Sequence, residues 1–427
     1  MRRLHYGWFI CIGCTLLMFC TGGLTTSAFT LYQSHLVDAG LTDSQASTML
    51  MVRSLFALFA MLVVEKYHKK TDIRIGVTVA IAAVAGSFVL YAFSKSFLSY
   101  CVSAALSGIG YGLGGMIPVS VLISRWFHTH KALALGICAA GTGASTIVAP
   151  PLLTSVILNH SLKTAFLVEA AFVGLVTVLV FLVLRNRPAD RNLAPLGADE
   201  PEEIPGASEA AEIETAEAEE QAVDSAASPP APSIGVNKTA FLLMGAAIFL
   251  IGALTNPGWV HLEILYESEG FKEMTVAYML MFAGIVLTCG KMLYGQINDK
   301  LGAYKSNYLF FGFILLGEAL CCFAGKAGLP GGLVAMGCLG LGLPLSTVGL
   351  SVYAADVSTP DTYGRMVKRF QITYMVGALV FGSIPGRMKE FTGTYTSFYV
   401  LMTVFAGLAM LCIQFSYIRY INKKKTA

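Results

Sequence analysis

Charged side chains are scarce in this chain: they make up only 13% of its 427 residues, whereas 55% of the residues are hydrophobic. A typical soluble domain is roughly a quarter charged, so this balance argues against a soluble globular protein. The mean hydropathy is +0.66, and apolar runs of the roughly 20 residues that cross a bilayer as a helix recur along the chain. The net charge of +3 is too small to indicate a nucleic-acid partner. The composition predicts an all-α membrane protein.

Metal-ligand and catalytic patterns are lacking as well. Cys11-x-x-Cys14 has a metal-like spacing but no second pair of ligands, and all ten cysteines lie in apolar runs, as buried small hydrophobic residues do. The glycines between Gly108 and Gly115 do not form a dinucleotide loop, because no strand precedes them. The sequence contains no phosphate loop and no catalytic cluster. We therefore expect no bound metal, no cofactor and no enzymatic activity.

Twelve apolar segments are long enough to span a bilayer, six on either side of a polar connector. With both termini in the cytoplasm, 21 of the 29 Lys and Arg residues fall in cytoplasmic segments and six fall in outer loops. The positive-inside rule therefore predicts a cell-membrane protein with both termini cytoplasmic. The predicted spans are 7–31, 44–64, 75–94, 98–124, 132–158, 162–184, 239–265, 274–297, 305–325, 329–354, 366–388 and 394–420.

The connector, residues 185–238, differs in composition from the rest of the chain. It is rich in Ala, Glu and Pro and holds 12 of the 26 acidic residues. Such a segment has too little apolar surface to offset the entropy of ordering, so we expect a disordered, acidic cytoplasmic linker. It separates two predicted domains, an N-terminal six-helix bundle (1–184) and a C-terminal six-helix bundle (239–427).

Small residues recur at matching places in the two halves. Gly112-x-Gly114 lies in the fourth span, and Gly340-x-Gly342 lies in the tenth. Small residues allow transmembrane helices to approach closely. Paired spans interrupted by glycine and proline are typical of transporters built from repeats around a central site.

A compact loop motif follows the eighth span, and its residues are Gly295, Asp299, Lys300 and Gly302. The matching loop of the first half keeps only the acid–base pair Glu65-Lys66. The motif resembles the inter-helix loop of the major facilitator superfamily. That resemblance implies the major facilitator fold, with twelve transmembrane helices in two pseudo-symmetric bundles. It also implies that the motif stabilises one gate state and does not touch the substrate.

Two stretches resemble one branch of that superfamily, the monocarboxylate and oxalate/formate transporters. Residues 28–47 are similar to the branch's first-span exit, and 125–137 to its Arg-Trp-Phe segment entering span five. In that branch a cation in span eight is implicated in binding the substrate carboxylate. The matching position here is Lys291, where a lysine stands in place of the more usual arginine.

Two cations lie inside predicted spans, Lys291 and Arg53. Lys291 precedes Asp299 by eight residues, which is about 12 Å of helix, and a charge at that depth usually faces a cavity. Arg53 lies in the corresponding helix of the first half. Together they suit an anionic substrate. The alternatives are that Lys291 snorkels to the surface and that Arg53 pairs with an intramembrane acid, Glu169 or Glu318.

Polar groups near these cations complete the candidate site. For proton coupling, which needs a group that changes charge, the candidates are His261 and Glu263 near the outer end of span seven, with Glu169 and Glu318 as further intramembrane acids. The residues predicted to hydrogen-bond a carboxylate or hydroxyl are Tyr32, Tyr111, Asn256, Gln371 and Tyr374.

These observations predict a secondary transporter for a small organic anion, a monocarboxylate moved with a proton by rocker-switch alternating access. Its expected partners are the carboxylate, a proton and the lipid bilayer, and its functional unit is a monomer. The alternatives are an oxalate/formate-type exchanger, an exporter of drugs or sugars, and a non-transporting sensor that signals through the acidic linker.

Overall fold

The fold is described by a computed structural model, which covers residues 5–38, 40–127, 131–197, 238–358 and 360–421. Within these ranges the chain is helical, and its one β contact is an isolated bridge between Phe127 and Leu196. Ten helices are long and apolar enough to cross a membrane. The prediction of an all-α membrane protein is confirmed.

The N-terminal half contains six crossing helices, two of which are interrupted. The first widens into a π-helical stretch over Phe19–Ala28, and the fourth breaks at Gly115. The helices are α1 Gly7–Asp38, α2 Asp43–Lys70, α3 Ile73–Phe93, α4 Phe97–Trp126, α5 Lys131–Asn159 and α6 Leu162–Val183.

The C-terminal half repeats this arrangement. Its first helix also contains a π-helical turn, at Leu254–Gly258, where Pro257 has no backbone N–H to continue the α-helical ladder. The helices are α7 Lys238–Ala253, its extension Leu262–Ser268, the continuous pair α8 and α9 over Glu273–Cys321, α10 Ala324–Ala354, α11 Pro360–Phe381, its extension Ile384–Thr392, and α12 Thr396–Ser416.

Two predicted spans are absent from the ten apolar helices but present in the fold. α8 and α9 are separated at Gly302, whose φ of 75° and ψ of 159° break the helix in a region open to glycine. α11 is helical throughout, but its cytoplasmic end carries Arg365, Lys368 and Arg369. The twelve-helix arrangement therefore stands, and the loop-motif glycine Gly302 supplies the break between two of its helices.

Glycine pairs place α4 and α10 in equivalent environments. A Cβ at Gly112 would meet the Ala57 carbonyl of α2, and one at Gly340 would meet the Ala283 carbonyl of α8. Two residues further on, Gly114 faces α3 and Gly342 faces α9. Close backbone packing through small residues thus fixes the same helix neighbours in each half. The predicted match between spans four and ten follows from this packing.

The first part of the predicted linker is folded against the N-terminal bundle. The Trp126 indole N–H donates to the Arg185 carbonyl at 3.1 Å, and the Leu196 N–H donates to the Trp126 carbonyl at 2.9 Å. These bonds fold residues 185–197 against the N-terminal bundle, whereas the sequence predicted that the disordered linker begins at 185. The local aromatic docking surface outweighs the polar composition there. The rest of the predicted linker, 198–237, lies outside the described residues.

Candidate functional site

Arg53 is a buried cation near the middle of α2, with 2% of its surface exposed. Its guanidinium donates to the Thr25 and Thr26 hydroxyls of α1 at 2.8 and 2.9 Å, and it lies 5.1 Å from the centre of the Tyr111 ring. Its Nε has no hydrogen-bond partner among the described residues. In the described part of the chain no carboxylate pairs with Arg53, so the predicted alternative of an ion pair with Glu169 or Glu318 is not observed.

Lys291 reaches across from the C-terminal half to the N-terminal half. Its ammonium donates to the Thr142 hydroxyl of α5 at 3.0 Å. Thr142 lies 11 residues inside α5, about 16 Å from the start of that helix, so Lys291 does not snorkel to that end of the bundle in this conformation. The positive-inside rule predicts that this end faces the cytoplasm, and it is called the cytoplasmic end below, whereas the opposite end is called the outer end. Among the residues the structure describes, no acid pairs with Lys291.

The two cationic groups are held near one another by α1. A Cβ at Gly22 would lie 2.9 Å from the Thr142 methyl group, which marks the Lys291 end, and 3.7 Å from the Tyr111 ring, which lies under Arg53. Thr25 and Thr26, which bind the guanidinium, follow Gly22 in the same π-helical stretch of α1. The hydroxyl partners of the two cations therefore lie on or against one short stretch of α1, although the backbones of Arg53 and Lys291 do not occupy equivalent positions.

Ala57 of α2 and Ala283 of α8 are equivalent positions of the two halves, because they pack against Gly112 and Gly340 in the same way. Measured from these two residues, the backbones of Arg53 and Lys291 lie at different depths. Arg53 precedes Ala57 by one turn, on the outer side. Lys291 follows Ala283 by two turns, on the cytoplasmic side. Side-chain reach, together with partners on α1 and α5, brings the charged groups closer than their backbones are.

Of the other predicted site residues, the structure brings two next to Arg53, namely Tyr111 and Tyr374. Tyr374 of α11 accepts a hydrogen bond from Thr255 of α7 at 3.1 Å, and it interacts electrostatically with both Arg53 and Tyr111. The site thus takes side chains from both halves.

The remaining predicted substrate residues lie at other places. Asn256 is buried in the π-helical turn beside Thr255, and Gln371 lies on α11 one turn to the cytoplasmic side of Tyr374. Tyr32 is turned away from the cations, because its hydroxyl donates to the Glu169 carboxylate within the N-terminal half.

Side chains from both halves close the outer end above this site, with His261 at the centre. The His261 Nδ1 lies 2.8 Å from the Pro257 carbonyl, so it carries the proton, and Nε2 accepts from the Gln33 amide and the Ser47 hydroxyl, each at 3.0 Å. Ser47 in turn accepts the Gly386 N–H at 3.0 Å. His261, Gln33 and Ser47 are all at most 1% exposed. The neutral imidazole satisfies every contact in this set.

Further contacts at the same end join α2 to the C-terminal half. The Tyr395 hydroxyl donates to the Asp43 carboxylate at 2.5 Å, and the Ser44 N–H donates to Glu390 at 2.9 Å. Glu263, the other predicted coupling residue, is 1% exposed on the short helix that follows His261 and interacts electrostatically with Tyr32. The outer end is therefore closed in this conformation.

At the cytoplasmic end, one ion pair joins the halves within the described residues. The Lys368 ammonium of α11 lies 2.7 Å from the Glu65 carboxylate of α2, and 32% and 58% of the two side chains are exposed. Glu65 belongs to the predicted gate motif, whereas Lys66 and Lys300 are exposed and the Asp299 side chain lies outside the described positions. A Cβ added at Gly295 would meet no described atom within 4 Å.

Several residues of this site were not identifiable from the sequence. Their side chains are single polar groups that form no motif with their neighbours in sequence. The residues that sequence reasoning missed are Thr25, Thr26, Gln33, Ser47, Thr142 and Lys368 as the partner of Glu65.

Two pseudo-symmetric helical bundles that meet around buried polar groups are the architecture of a secondary transporter. Residues 13–382 match the family model of the Major Facilitator Superfamily. The chain belongs to that superfamily, whose members are transporters and not enzymes.

Curated relatives are distant but match most of the chain. Monocarboxylate transporter 12 of Xenopus laevis is 23% identical over 446 residues, covering 96% of this chain and 89% of the relative. The agnestins efflux protein AgnL12 of Paecilomyces divaricatus is 23% identical over 417 residues, covering 94% of this chain and 84% of the relative.

Solved structures share the fold at lower identity. A mutant of the nucleoside transporter NupG superposes with a TM-score of 0.71 at 11% identity, covering 97% of this chain and 100% of that structure's chain. A D-xylose-proton symporter also gives a TM-score of 0.71 at 11% identity, with 99% and 98% coverage. At this identity the likeness establishes the fold alone.

Proposed function

We propose that the protein transports a small organic anion, a monocarboxylate moved in symport with a proton, by rocker-switch alternating access. One observation carries the proposal: Arg53 and Lys291 are cations inside the membrane-spanning bundle, and no carboxylate pairs with either within the described residues. An unpaired charge in such a place is costly and usually marks a substrate or ion pathway. An anionic substrate would supply the missing negative charge.

The chemistry of the surrounding groups supports a small ligand with one carboxylate. Arg53 offers a planar fork of N–H donors, with Nε unused by the described residues, and Lys291 offers a single mobile ammonium. Tyr111 and Tyr374 add phenol hydroxyls, with Asn256 and Gln371 as further polar groups. Since their hydrogen-bond partners are hydroxyls, both cations can exchange a threonine for a carboxylate without breaking an ion pair.

The names of the relatives support the same class of cargo. Four of the similar proteins are called monocarboxylate transporter 12, from a frog, a mouse, a rat and a human. Their low identity leaves the substrate to be established directly. We further propose a multi-pass protein of the cell membrane whose termini are cytoplasmic, as the distribution of Lys and Arg predicts, and whose functional unit is a monomer.

Alternating access requires that the two ends of the site close in turn. In our proposal the outer end opens when the bonds of His261 to Gln33 and Ser47 separate, and the cytoplasmic end opens when Glu65 and Lys368 separate. His261 and Glu263 lie where external protons arrive, and so they are proposed to make outer opening depend on pH. A protonated His261 would donate from Nε2, which requires the Gln33 amide to turn its free Oε1 inward.

Uptake by purified protein in proteoliposomes tests the proposal. We expect wild-type vesicles to accumulate at least one of lactate, pyruvate, formate, oxalate and short fatty acids when the outside is acidic. Lys291→Ala is expected to abolish this uptake, and Lys305→Ala, an exposed lysine of the neighbouring helix α9 outside the gate motif, serves as the matched control. Unchanged uptake by Lys291→Ala contradicts the site, and uptake that ignores the pH gradient contradicts proton symport.

A second candidate is efflux of an organic compound, favoured by the relative named as an agnestins efflux protein. Three further candidate functions are oxalate/formate-type exchange, sugar or drug export, and signalling through the linker. Vesicles loaded with substrate on the inside distinguish export from uptake. Transport that needs a second substrate on the opposite side of the membrane identifies exchange. Deletion of 198–237 tests the sensor, since a transporter tolerates loss of a tether and a sensor does not.

A further inference from the structure

Glu169 of α6 is a buried carboxyl group that belongs neither to the substrate site nor to the outer closure. It is 3% exposed. One of its oxygens accepts the Tyr32 hydroxyl, and the other, Oε1, has no hydrogen-bond partner among the described residues. The titratable groups that interact with it are Tyr32 and Cys20 of α1 and Tyr91 of α3. None of these carries a positive charge, and no cation pairs with it in the described part of the chain.

A carboxylate in this position would be poorly compensated. Burial removes water from the charge, and a single hydroxyl donor does not replace it. The neutral acid has no charge to compensate, and it keeps the hydrogen bond that Tyr32 donates. In the conformation described here, Glu169 therefore holds a proton.

The partner of Glu169 lies beside the outer closure. Tyr32 is adjacent in sequence to Gln33, which binds His261 across the interface between the halves. When the outer end opens, Gln33 must leave His261, and the segment of α1 that covers Glu169 loses its support from the C-terminal half. Opening outward therefore gives external water access to Glu169.

Glu169 and Arg53 share one neighbour, Tyr91, which interacts electrostatically with both. An ionised Glu169 therefore adds negative charge to the surroundings of Arg53 and competes with a bound carboxylate, whereas a protonated Glu169 does not. Loading of the proton and loading of the anion then favour each other.

We propose that Glu169 is the proton-carrying site of the transport cycle: it is loaded from outside when the outer closure separates, stays neutral while both ends are closed, and releases its proton towards the cytoplasm when the cytoplasmic end opens and water enters the site. This inference rests on the proposed function and assigns the coupled proton to a residue of the N-terminal half. His261 and Glu263 control access to it, and the bound species is the proton itself, held as a carboxylic acid O–H.

Glu169→Gln tests the assignment, because glutamine keeps the shape and the Tyr32 hydrogen bond but cannot ionise. The competing candidate is tested by Glu318→Gln, since Glu318 is a 1% exposed carboxyl of the C-terminal half whose Oε2 also has no partner among the described residues. In proteoliposomes we expect Glu169→Gln to lose accumulation driven by a pH gradient while retaining substrate counterflow at equal pH. Glu318→Gln is expected to retain both.

The outcomes separate this inference from the proposed function. If wild-type uptake ignores the pH gradient, proton symport itself fails. If wild-type uptake depends on the gradient and Glu169→Gln accumulates substrate equally well, only the role of Glu169 is overturned. Loss of gradient-driven uptake in Glu318→Gln with retention in Glu169→Gln moves the proton to the other half and likewise overturns it.

A second variant keeps the test decisive if Glu169→Gln does not fold. Tyr32→Phe removes the donor that stabilises the ionised carboxylate. We expect the midpoint of its uptake–pH profile to move to higher pH, with counterflow at equal pH preserved. A profile that coincides with wild type overturns the proposal.

Discussion

The outer and cytoplasmic ends of the molecule are closed by different physics. At the outer end, His261, Gln33 and Ser47 form hydrogen bonds that are almost completely removed from solvent. At the cytoplasmic end, the halves are joined by the Glu65–Lys368 ion pair, which is exposed. Buried hydrogen-bonding groups cost about 1–3 kcal/mol each when left unpaired, whereas an exposed ion pair contributes about 0–1 kcal/mol.

We infer from this difference that the outer gate is stronger than the cytoplasmic gate. The outer closure is specific and dry, so water must enter before its polar groups can separate. The cytoplasmic ion pair can exchange its partners for water and salt at little cost. We therefore expect the conformation described here to convert first to one open to the cytoplasm.

The largest effect should come from Gly386→Ala, which prevents the outer closure from forming. A Cβ at Gly386 would collide with the Asp43 backbone carbonyl and the Ser47 hydroxyl, and backbone cannot move aside cheaply. We expect at least roughly a tenfold loss of transport and new labelling of cysteines introduced at the outer end. Gly245→Ala is the control, since no described atom lies near the Cβ it would add; equal loss in both variants would contradict a specific effect.

His261→Ala should have the next largest effect. It leaves the Gln33 amide and the Ser47 hydroxyl without their acceptor, which costs about 1–3 kcal/mol and favours the outward-open state by roughly 5- to 150-fold. Distances between spin labels across the outer end measure the populations. His160→Ala, an exposed histidine after α5, is the control, and unchanged populations in His261→Ala would show that the outer closure does not depend on the imidazole.

A graded pH effect is expected from Glu267, which lies outside the membrane-spanning helices at the end of the extension Leu262–Ser268. Burial raises the pKa of its carboxyl from 4.5 to about 7, and the nearby Glu273 and Asp38 add to the increase. The closed state therefore binds more protons than an open state in which the carboxyl is hydrated. The contribution of Glu267 to outer closure should be fully present below about pH 4.5 and decline as the pH rises through about 7.

Label distances recorded between about pH 4 and 8 test this dependence. Glu267→Gln should remove the decline over that window, and the neighbouring Glu269→Gln should retain it. A decline that persists undiminished in Glu267→Gln would assign it to another group.

The smallest effect should come from Lys368→Ala at the cytoplasmic end. Removing an exposed ion pair costs less than about 1 kcal/mol, so we expect less than roughly a fivefold change in transport, directed toward the cytoplasm-open state. The change should shrink further in high salt, because the pair is screened. Lys69→Ala, an exposed lysine of α2 outside the gate motif, is the control. A loss in Lys368→Ala as large as that in His261→Ala would contradict the proposed inequality of the two gates.

Much of the architecture was predictable because it follows from local composition. Apolar runs indicated helices, basic loops indicated orientation, and Gly302 supplied the break between α8 and α9. The equivalence of Gly112 with Gly340 was also readable, since close helix packing demands small residues at both places. The folded structure of residues 185–197 was not predictable, because it depends on Trp126 and other groups far away in sequence.

The candidate site was predictable only in part. Arg53 and Lys291 stood out because charges in apolar runs are rare and costly. Their partners Thr25, Thr26 and Thr142 carry no such signal, and Tyr32 was expected near the substrate but turns to Glu169. The contacts between polar groups depend on how each helix is rotated about its axis and on how the helices of the two halves cross. No short stretch of sequence encodes either.

The class of molecule, its helices and its two intramembrane cations follow from the sequence, because insertion into a bilayer depends on the properties of each segment taken separately. Only the folded arrangement shows that the cations have no acidic partner among the described residues, that their hydroxyl partners lie on or against one stretch of α1, and that the outer closure is buried whereas the cytoplasmic ion pair is exposed. Those features arise where the halves meet, and burial there sets the free energy of every charge.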